Sequence, residues 1–410
     1  MLIQIILFLF LGVLAGTITG LIPGIHINLI GSFIVAASVS LFFSINPIYL
    51  IVFITAMAIA HTFLDFIPSI FLGCPDTDTE LSVLPGHELL KQGLGYEAII
   101  LTAYGSLAAI FLLILIAFPS IILISKTYST IIKLIPYILI LISIFLIYQE
   151  QNKISALVVF FLSGILGLCV LNLNFKEPLL PMLTGLFGSS MLLMSIKQKP
   201  KIPKQKILKT IKKKNLLRPL AGALIASPFC SFLPGLGSGQ AAIVGNTITE
   251  KFPFITKNLE PKTNQKRFLI LLGATNTLVM GFSFISLYII SRTRTGAAVA
   301  IENLLGNISF KPNLLILILT IILFSGIISF FLTKYLAEFF SKKINKINYS
   351  ILSLITLIVL VIIIFIFSGF YGFLIFAIST ATGIYGISLK VRRTNLMGCL
   401  LIPTIFFYLF

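Results

Sequence analysis

The chain has 410 residues, 58% of them hydrophobic and only 10% charged, yet its net charge is +18. A soluble domain carries closer to a quarter charged residues, so a water-soluble globule is excluded. Apolar runs of about twenty residues recur along the whole length, each long enough to cross the hydrocarbon core as a helix. Runs such as 131–148 and 351–367 lack the alternation of a barrel strand, which leaves an all-α polytopic membrane protein, a multi-pass protein of the cell membrane.

The N-terminus has no basic leader and no Ala-x-Ala site, so residues 2–22 are expected to be the first membrane segment and not a cleaved signal. They form an apolar hairpin with 25–43, interrupted at Pro23-Gly24 and followed by His26, Asn28 and Ser32. Proline removes a helix donor and glycine permits a turn, so a helix stops or kinks at this point. The run 48–73 carries His61 and Asp65, four residues apart and so on one helical face. A polar stretch from Cys74 to Glu97 follows, with Asp76 and Asp78 at its start. Four more apolar segments are expected over 107–125, 134–148, 154–174 and 179–196.

Residues 197–218 carry ten Lys/Arg and no acid, and after them the order repeats. A hairpin over 219–249 is interrupted at Pro234-Gly235, with Gly237, Ser238, Gly239, Gln240 and Asn246 downstream. The run 268–290 carries Asn276, and a polar turn with Arg292 and Arg294 comes after it. Segments 312–333, 350–368, 370–389 and 395–410 close the chain. Pro23 and Pro234 are 211 residues apart and Asp76 and Arg292 are 216 apart, so the halves read as a duplicated unit. The domains are then a first repeat over 1–196, a basic cytoplasmic linker over 197–218 and a second repeat over 219–410. If each broken hairpin enters and leaves on one face, a half makes five crossings and the second copy is inverted. That topology puts 197–218, 334–346 and 390–393 in the cytoplasm, as the positive-inside rule requires, at the expense of Lys126 and Lys133 outside. The positive charge reads as topology and contact with anionic headgroups, with no nucleic-acid partner.

The paired breaks, Gly20-Leu-Ile-Pro-Gly-Ile and Phe232-Leu-Pro-Gly-Leu-Gly, resemble those of the large permease subunit of the tripartite tricarboxylate transporters, the TctA family. Leu84-Pro-Gly-His-Glu-Leu-Leu-Lys-Gln-Gly-Leu-Gly-Tyr-Glu-Ala98 and Gly273-Ala-Thr-Asn-Thr277 are similar to two further stretches of that family. The resemblance implies a permease that moves carboxylates with a cation gradient, helped by a small membrane subunit and an external binding protein. The turn Ser-Arg-Thr-Arg-Thr-Gly departs from the neutral, Pro-Gly-containing turn of the family. The breaks also resemble the polyprenyl-phosphate transporters, so translocation of a phosphorylated lipid carrier is the alternative.

Candidate site residues follow from chemistry. Free amides at a half-helix start attract an anion and exposed carbonyls coordinate Na⁺, so Pro23, Gly24, His26, Asn28, Pro234, Gly235, Gly237, Ser238, Gly239, Gln240, Asn246 and Asn276 are candidate substrate ligands. Asp76, Asp78, Arg292 and Arg294 are candidates for ion pairing or gating, the competing reading being solvated loops. His61 and Asp65 form a candidate proton relay, or else a satisfied polar pair within the bundle. A metal site would need a third ligand, and the four cysteines lack CxxC spacing, so no metal or cofactor is expected beyond Na⁺ or H⁺ as coupling ion. The absence of HExxH, Gly-x-Ser-x-Gly and Gly-x-Gly-Asp motifs argues against an enzyme.

Overall fold

A computed structural model describes residues 2–22, 45–73, 79–148, 150–173, 178–198, 203–207, 216–232, 237–251, 261–291, 295–306, 310–343 and 349–410. Among them there is no β-strand, and seven helical stretches are long and apolar enough to span a bilayer. In the first half α1 is Leu2–Leu21, α2 Pro47–Leu64, α3 Phe66–Leu72, α4 Val83–Lys91, α5 Gly95–Tyr148 and α6 Lys153–Leu171. Helix α7, Leu179–Leu183, runs through a π-helical stretch, Thr184–Ser189, into α8, Ser190–Gln198. The second half has α9 Leu217–Phe232, α10 Ser238–Lys251, α11 Pro261–Ile290, α12 Gly296–Leu305, α13 Pro312–Lys343 and α14 Tyr349–Ser388. A 3₁₀ turn, Arg393–Met397, leads into α15, Gly398–Leu409.

Several boundaries differ from the sequence expectation. The segments expected at 107–125 and 134–148 belong to one helical run of 54 residues, which divides into the apolar stretches Gly95–Thr130 and Lys133–Tyr148. The expected boundary between 350–368 and 370–389 is present: the two helices of α14 meet at a kink at Gly369, whose φ of 63° suits a residue without a side chain. Lys334, Lys342 and Lys343, read as part of a loop, extend α13, where Lys342 meets Glu338 one turn away at 2.6 Å. Basic residues in the last turn of a helix complement its dipole, so the helix continues into them.

Two spans form the centre. The most apolar window of Pro47–Leu72 and that of Asn264–Ile290 are each 94% buried, whereas the other five spans are between 22% and 44% buried. Those five therefore face lipid, with Leu115, Phe118, Ile154, Ile366 and Tyr371 among their exposed side chains. Lipid tails give no hydrophobic drive for helices to associate, so close backbone packing at small residues has to hold them. Helix α1 lays Gly12, Gly16 and Gly20 against Phe53, Met57 and Leu64 of α2, the two running parallel. In the second half Gly222 of α9 and Gly245 of α10 touch backbone to backbone, giving the expected helical hairpin around the 234–235 break. Central span α11 runs parallel to α5: Lys266 meets Glu97 and, further along, Gly281 packs on Leu113, with Gly105 against Ile270 and Gly273 against Thr102 between them.

The peripheral contacts repeat with their roles exchanged. Gly398 packs on Phe160 and Ser163 of α6, and Gly185 packs on Phe376 and Ser379 of α14. Gly167 meets the Cys399 carbonyl, and Gly383 meets that of Leu186. Phe160 and Phe376, Ser163 and Ser379, and Gly167 and Gly383 are each 216 residues apart; Gly185 and Gly398, and Leu186 and Cys399, are each 213 apart. An exchange that keeps its register across three elements is the packing expected of a duplicated unit.

Because each carbonyl lies where a Cβ would stand, Gly167→Val and Gly383→Val are each expected to cost about 1–3 kcal/mol. The double variant should show additive losses, since the two contacts are separate interfaces. Thermal unfolding in detergent measures both, and a variant as stable as the parent would contradict the close approach.

Candidate functional site

Helix α2 ends where it does because of Pro68. Its missing N–H leaves the Leu64 carbonyl without the usual partner, and the chain breaks between α2 and α3 at Asp65. The backbone stays αR there (φ −61°, ψ −21°), with the Asp65 amide donating to the His61 carbonyl at 3.0 Å. A carboxylate thus sits at an interruption of the most buried span of the first half. Asp65 and His61 are both 4% exposed.

Across from this break lies α11. The Asn276 Nδ2 group donates to Asp65 Oδ2 at 2.9 Å and to the Thr62 carbonyl at 3.4 Å. Thr62 Oγ1 donates to the Ile59 carbonyl at 2.9 Å and lies 3.2 Å from Thr277 Oγ1, so Thr277 is the donor of that pair. One turn before Asp65 on the same face of α2, His61 Nδ1 is 3.0 Å from Thr19 Oγ1 of α1. The Thr19 hydroxyl is directed at the Gly16 carbonyl, which makes the imidazole Nδ1–H the donor. One face of α2 is thereby tied to α1 through His61 and to α11 through Thr62 and Asp65. Every member of this network is at most 4% exposed.

Asp65 and Asn276 stand 211 residues apart, the spacing of Pro23 and Pro234. Likewise Ile110 of α5 packs on Gly326 of α13, a spacing of 216. Contacts at a near-constant spacing of this kind are what an exchange axis between two copies would produce. Sequence reading paired His61 with Asp65 but put Asn276 among the substrate ligands, and it missed Thr19, Thr62 and Thr277. The equal spacing was the available signal; hydroxyls inside apolar spans carry none.

The second Pro-Gly break contributes a helix start. Gln240, 1% exposed, folds its side chain back so that Oε1 accepts the Gly237 N–H at 2.7 Å, half of a capping box. Its Nε2 is buried at the same helix start and has no hydrogen-bond partner among the described residues. Ser238 and Gly239 are buried beside it, and Asn246 lies two turns on, partly exposed, as α10 packs along α11. Pro23, Gly24, His26, Asn28, Ser32, Pro234 and Gly235 lie outside the described residues. So do Asp76, Asp78, Arg292 and Arg294.

The flanks of the two polar turns are described. Ser69 of α3 bonds Ser82 Oγ at 2.6 Å and the Thr79 carbonyl at 3.2 Å, and Ser283 of α11 bonds Thr295 at 2.8 Å. Each turn is thus fastened back to the span before it, at spacings of 214 and 216 residues between the copies. Helix α4 then packs on α11 and helix α12 on α2, each half covering the central span of the other. Gln265 of α11 reaches Glu88 of α4, which places the start of α11 at the end of α3. The central spans are therefore antiparallel, and Gly73 and Ser291, where the turns begin, stand at opposite ends. Among the described residues no three His, Cys, Asp or Glu come together as a metal site.

Two almost fully buried spans that cross at a carboxylate, an imidazole and an amide, within a sheath of lipid-facing helices, define a multi-pass membrane transporter. The chain belongs to the tripartite tricarboxylate transporter TctA family, whose family model matches residues 6–398. It is 32% identical to Uncharacterized protein MJ1079 of Methanocaldococcus jannaschii over 98% of this chain and 99% of that one. No solved structure matches it.

Two predictions follow from these contacts. Asp65→Ala leaves the Asn276 amide short of an acceptor and is expected to cost roughly 1–3 kcal/mol. Asp65→Asn should cost less, and a double-mutant cycle with Asn276→Ala should give a coupling of about 0.5–3 kcal/mol from thermal unfolding. On α4, burial, with the Lys91 charge adding to it, pushes the His87 imidazole from 6.5 down to about 4. The unfolded chain takes up this proton near pH 6.5 and the folded chain near pH 4, so the contribution is full above 6.5 and is lost as pH falls through that window. His87→Asn should flatten the acid limb of melting temperature against pH.

Proposed function

We propose that the protein is a secondary transporter for a small organic anion such as a carboxylate, driven by Na⁺ or H⁺. The observation that carries this reading is Asp65, a carboxylate buried at a helix interruption where the two halves meet. Charge inside a membrane bundle is expensive and marks an ion or substrate pathway. An Asp that gains and loses a proton or a Na⁺ between two states would give the coupling step its chemistry. His61 on the same face, one turn away, is the candidate to pass a proton along it.

The anion is assigned to the start of α10. Its backbone amides, the capping Gln240 and the buried Gln240 Nε2 donor supply positive potential without a formal charge, which suits an anion that must bind and leave. The matching hairpin of the first half would supply the second wall, through Pro23, Gly24, His26 and Asn28. The exchanged packing of the halves is the basis for reading them as inverted copies that alternate access by rocking about the α2–α11 crossing. Membership of a tripartite family supports a small membrane subunit and an external binding protein as partners.

The test is uptake into proteoliposomes, with imposed Na⁺ or pH gradients and a panel of labelled carboxylates, alongside a polyprenyl-phosphate translocation assay. Gradient-driven uptake of at least one carboxylate is expected, reduced about tenfold or more by Asp65→Asn in correctly folded protein. Uptake unaffected by Asp65→Asn would remove the coupling role. Polyprenyl-phosphate movement without carboxylate uptake would replace the substrate assignment.

A further inference from the structure

Arg267, in the second turn of α11, is only 9% exposed. Its Nε and Nη2 atoms are buried and have no hydrogen-bond partner among the described residues. These two N–H groups point the same way from the planar guanidinium and form the edge that accepts a carboxylate or phosphate with two parallel bonds. Two carboxylates beside the start of α11, among the described residues, are engaged elsewhere: Glu97 with Lys266 at 2.8 Å, and Glu88 with Gln265. Among the described residues the charge that acts on Arg267 is that of another cation, Arg218 of α9. A buried guanidinium edge with no acceptor among the described residues, under the added charge of a second arginine, is costly unless an anion occupies it.

The depth of the site matches a membrane surface. From Phe268 to Ile290 α11 rises about 34 Å, close to the thickness of the hydrocarbon core, so Arg267 stands at the headgroup level. It stands at the end where the basic linker docks. Lys266 holds Glu97, two residues beyond Gly95; the Gly95 N–H donates to Gln205 at 2.8 Å, and the Lys206 N–H donates to Gly93 at 2.8 Å.

We propose that Arg267, with Arg218 beside it, forms an oxyanion site on the linker side of the membrane that takes a phosphate group edge-on. The phosphate belongs either to an anionic phospholipid or to a free anion. Nothing in this proposal depends on what the protein transports or on Asp65.

The full-length protein in a neutral detergent decides it. Melting temperature is followed with inorganic phosphate against sodium chloride at equal ionic strength, and with phosphatidylglycerol against phosphatidylcholine in mixed micelles. A rise of several degrees above control is expected in the parent, since a ligand bound to the folded state stabilises it. The rise should shrink about fivefold or more in Arg267→Lys, which keeps the charge and loses the fork. A rise with both probes supports the shared chemistry; with phosphatidylglycerol alone it assigns a lipid, and with phosphate alone a soluble anion. No rise above control, or an equal rise in Arg267→Lys, overturns the proposal. Should Arg267→Lys fail to fold, Arg218→Gln takes its place, and an undiminished rise there counts against the site.

Discussion

A carboxylate enclosed in a lipid-surrounded bundle needs a donor, and the Asn276 amide supplies one to Asp65 across the crossing of the two central helices. That hydrogen bond constrains much else. It requires α2 and α11 to lie close enough for side chains of moderate length to meet. It also fixes their relative height, because the neighbouring Thr62 and Thr277 must meet as well. Since water is absent from the hydrocarbon, hydroxyls at the crossing turn to a carbonyl or to another hydroxyl, as Thr19, Thr62 and Ser69 do. The polar network and the tight backbone contacts are thus two sides of one requirement.

The second side is carried by small residues. Gly12, Gly16 and Gly20 seat α1 on α2, and Gly105 and Gly273 seat α5 on α11. Further out, the paired contacts at Gly167 and Gly383, and at Gly185 and Gly398, hold the flanking helices in the same way in both halves. The halves share the method of packing more than the residues packed: Cys399 occupies the place of Leu186, while the carbonyl that faces the glycine is common to both. A backbone contact tolerates divergence of side chains, which is how two copies can drift apart and still exchange.

The site combines a stiff support with groups able to change charge. Helix α2 is interrupted at Asp65, where Gly20 of α1 packs closely on Leu64, and α10 starts at a buried Gln240. Each polar turn is fastened to its own span by a serine, while the helix after it rests on the span of the opposite half. A tilt of one half against the other would therefore be felt at both turns and at the Asp65–Asn276 contact together. For a family of tripartite transporters, that is a suitable place to couple an ion to a substrate.

The sequence by itself determined the membrane class, and it nominated a duplicated unit and the candidates His61, Asp65 and Asn276. Apolar run length, a 211-to-216-residue repeat and an i, i+4 spacing are all properties of local chain segments. It misjudged where helices end, at 126–133 and at 334–343, because polar residues just outside the hydrocarbon continue a helix as readily as they leave it. Only the tertiary structure decided that Asp65 bonds Asn276 and that His61 bonds Thr19. It also decided that Arg267 is buried with its Nε and Nη2 edge lacking a partner among the described residues. Those outcomes depend on which faces of distant helices come within about 3 Å of each other, and burial patterns along one chain segment do not encode the partner of a hydrogen bond.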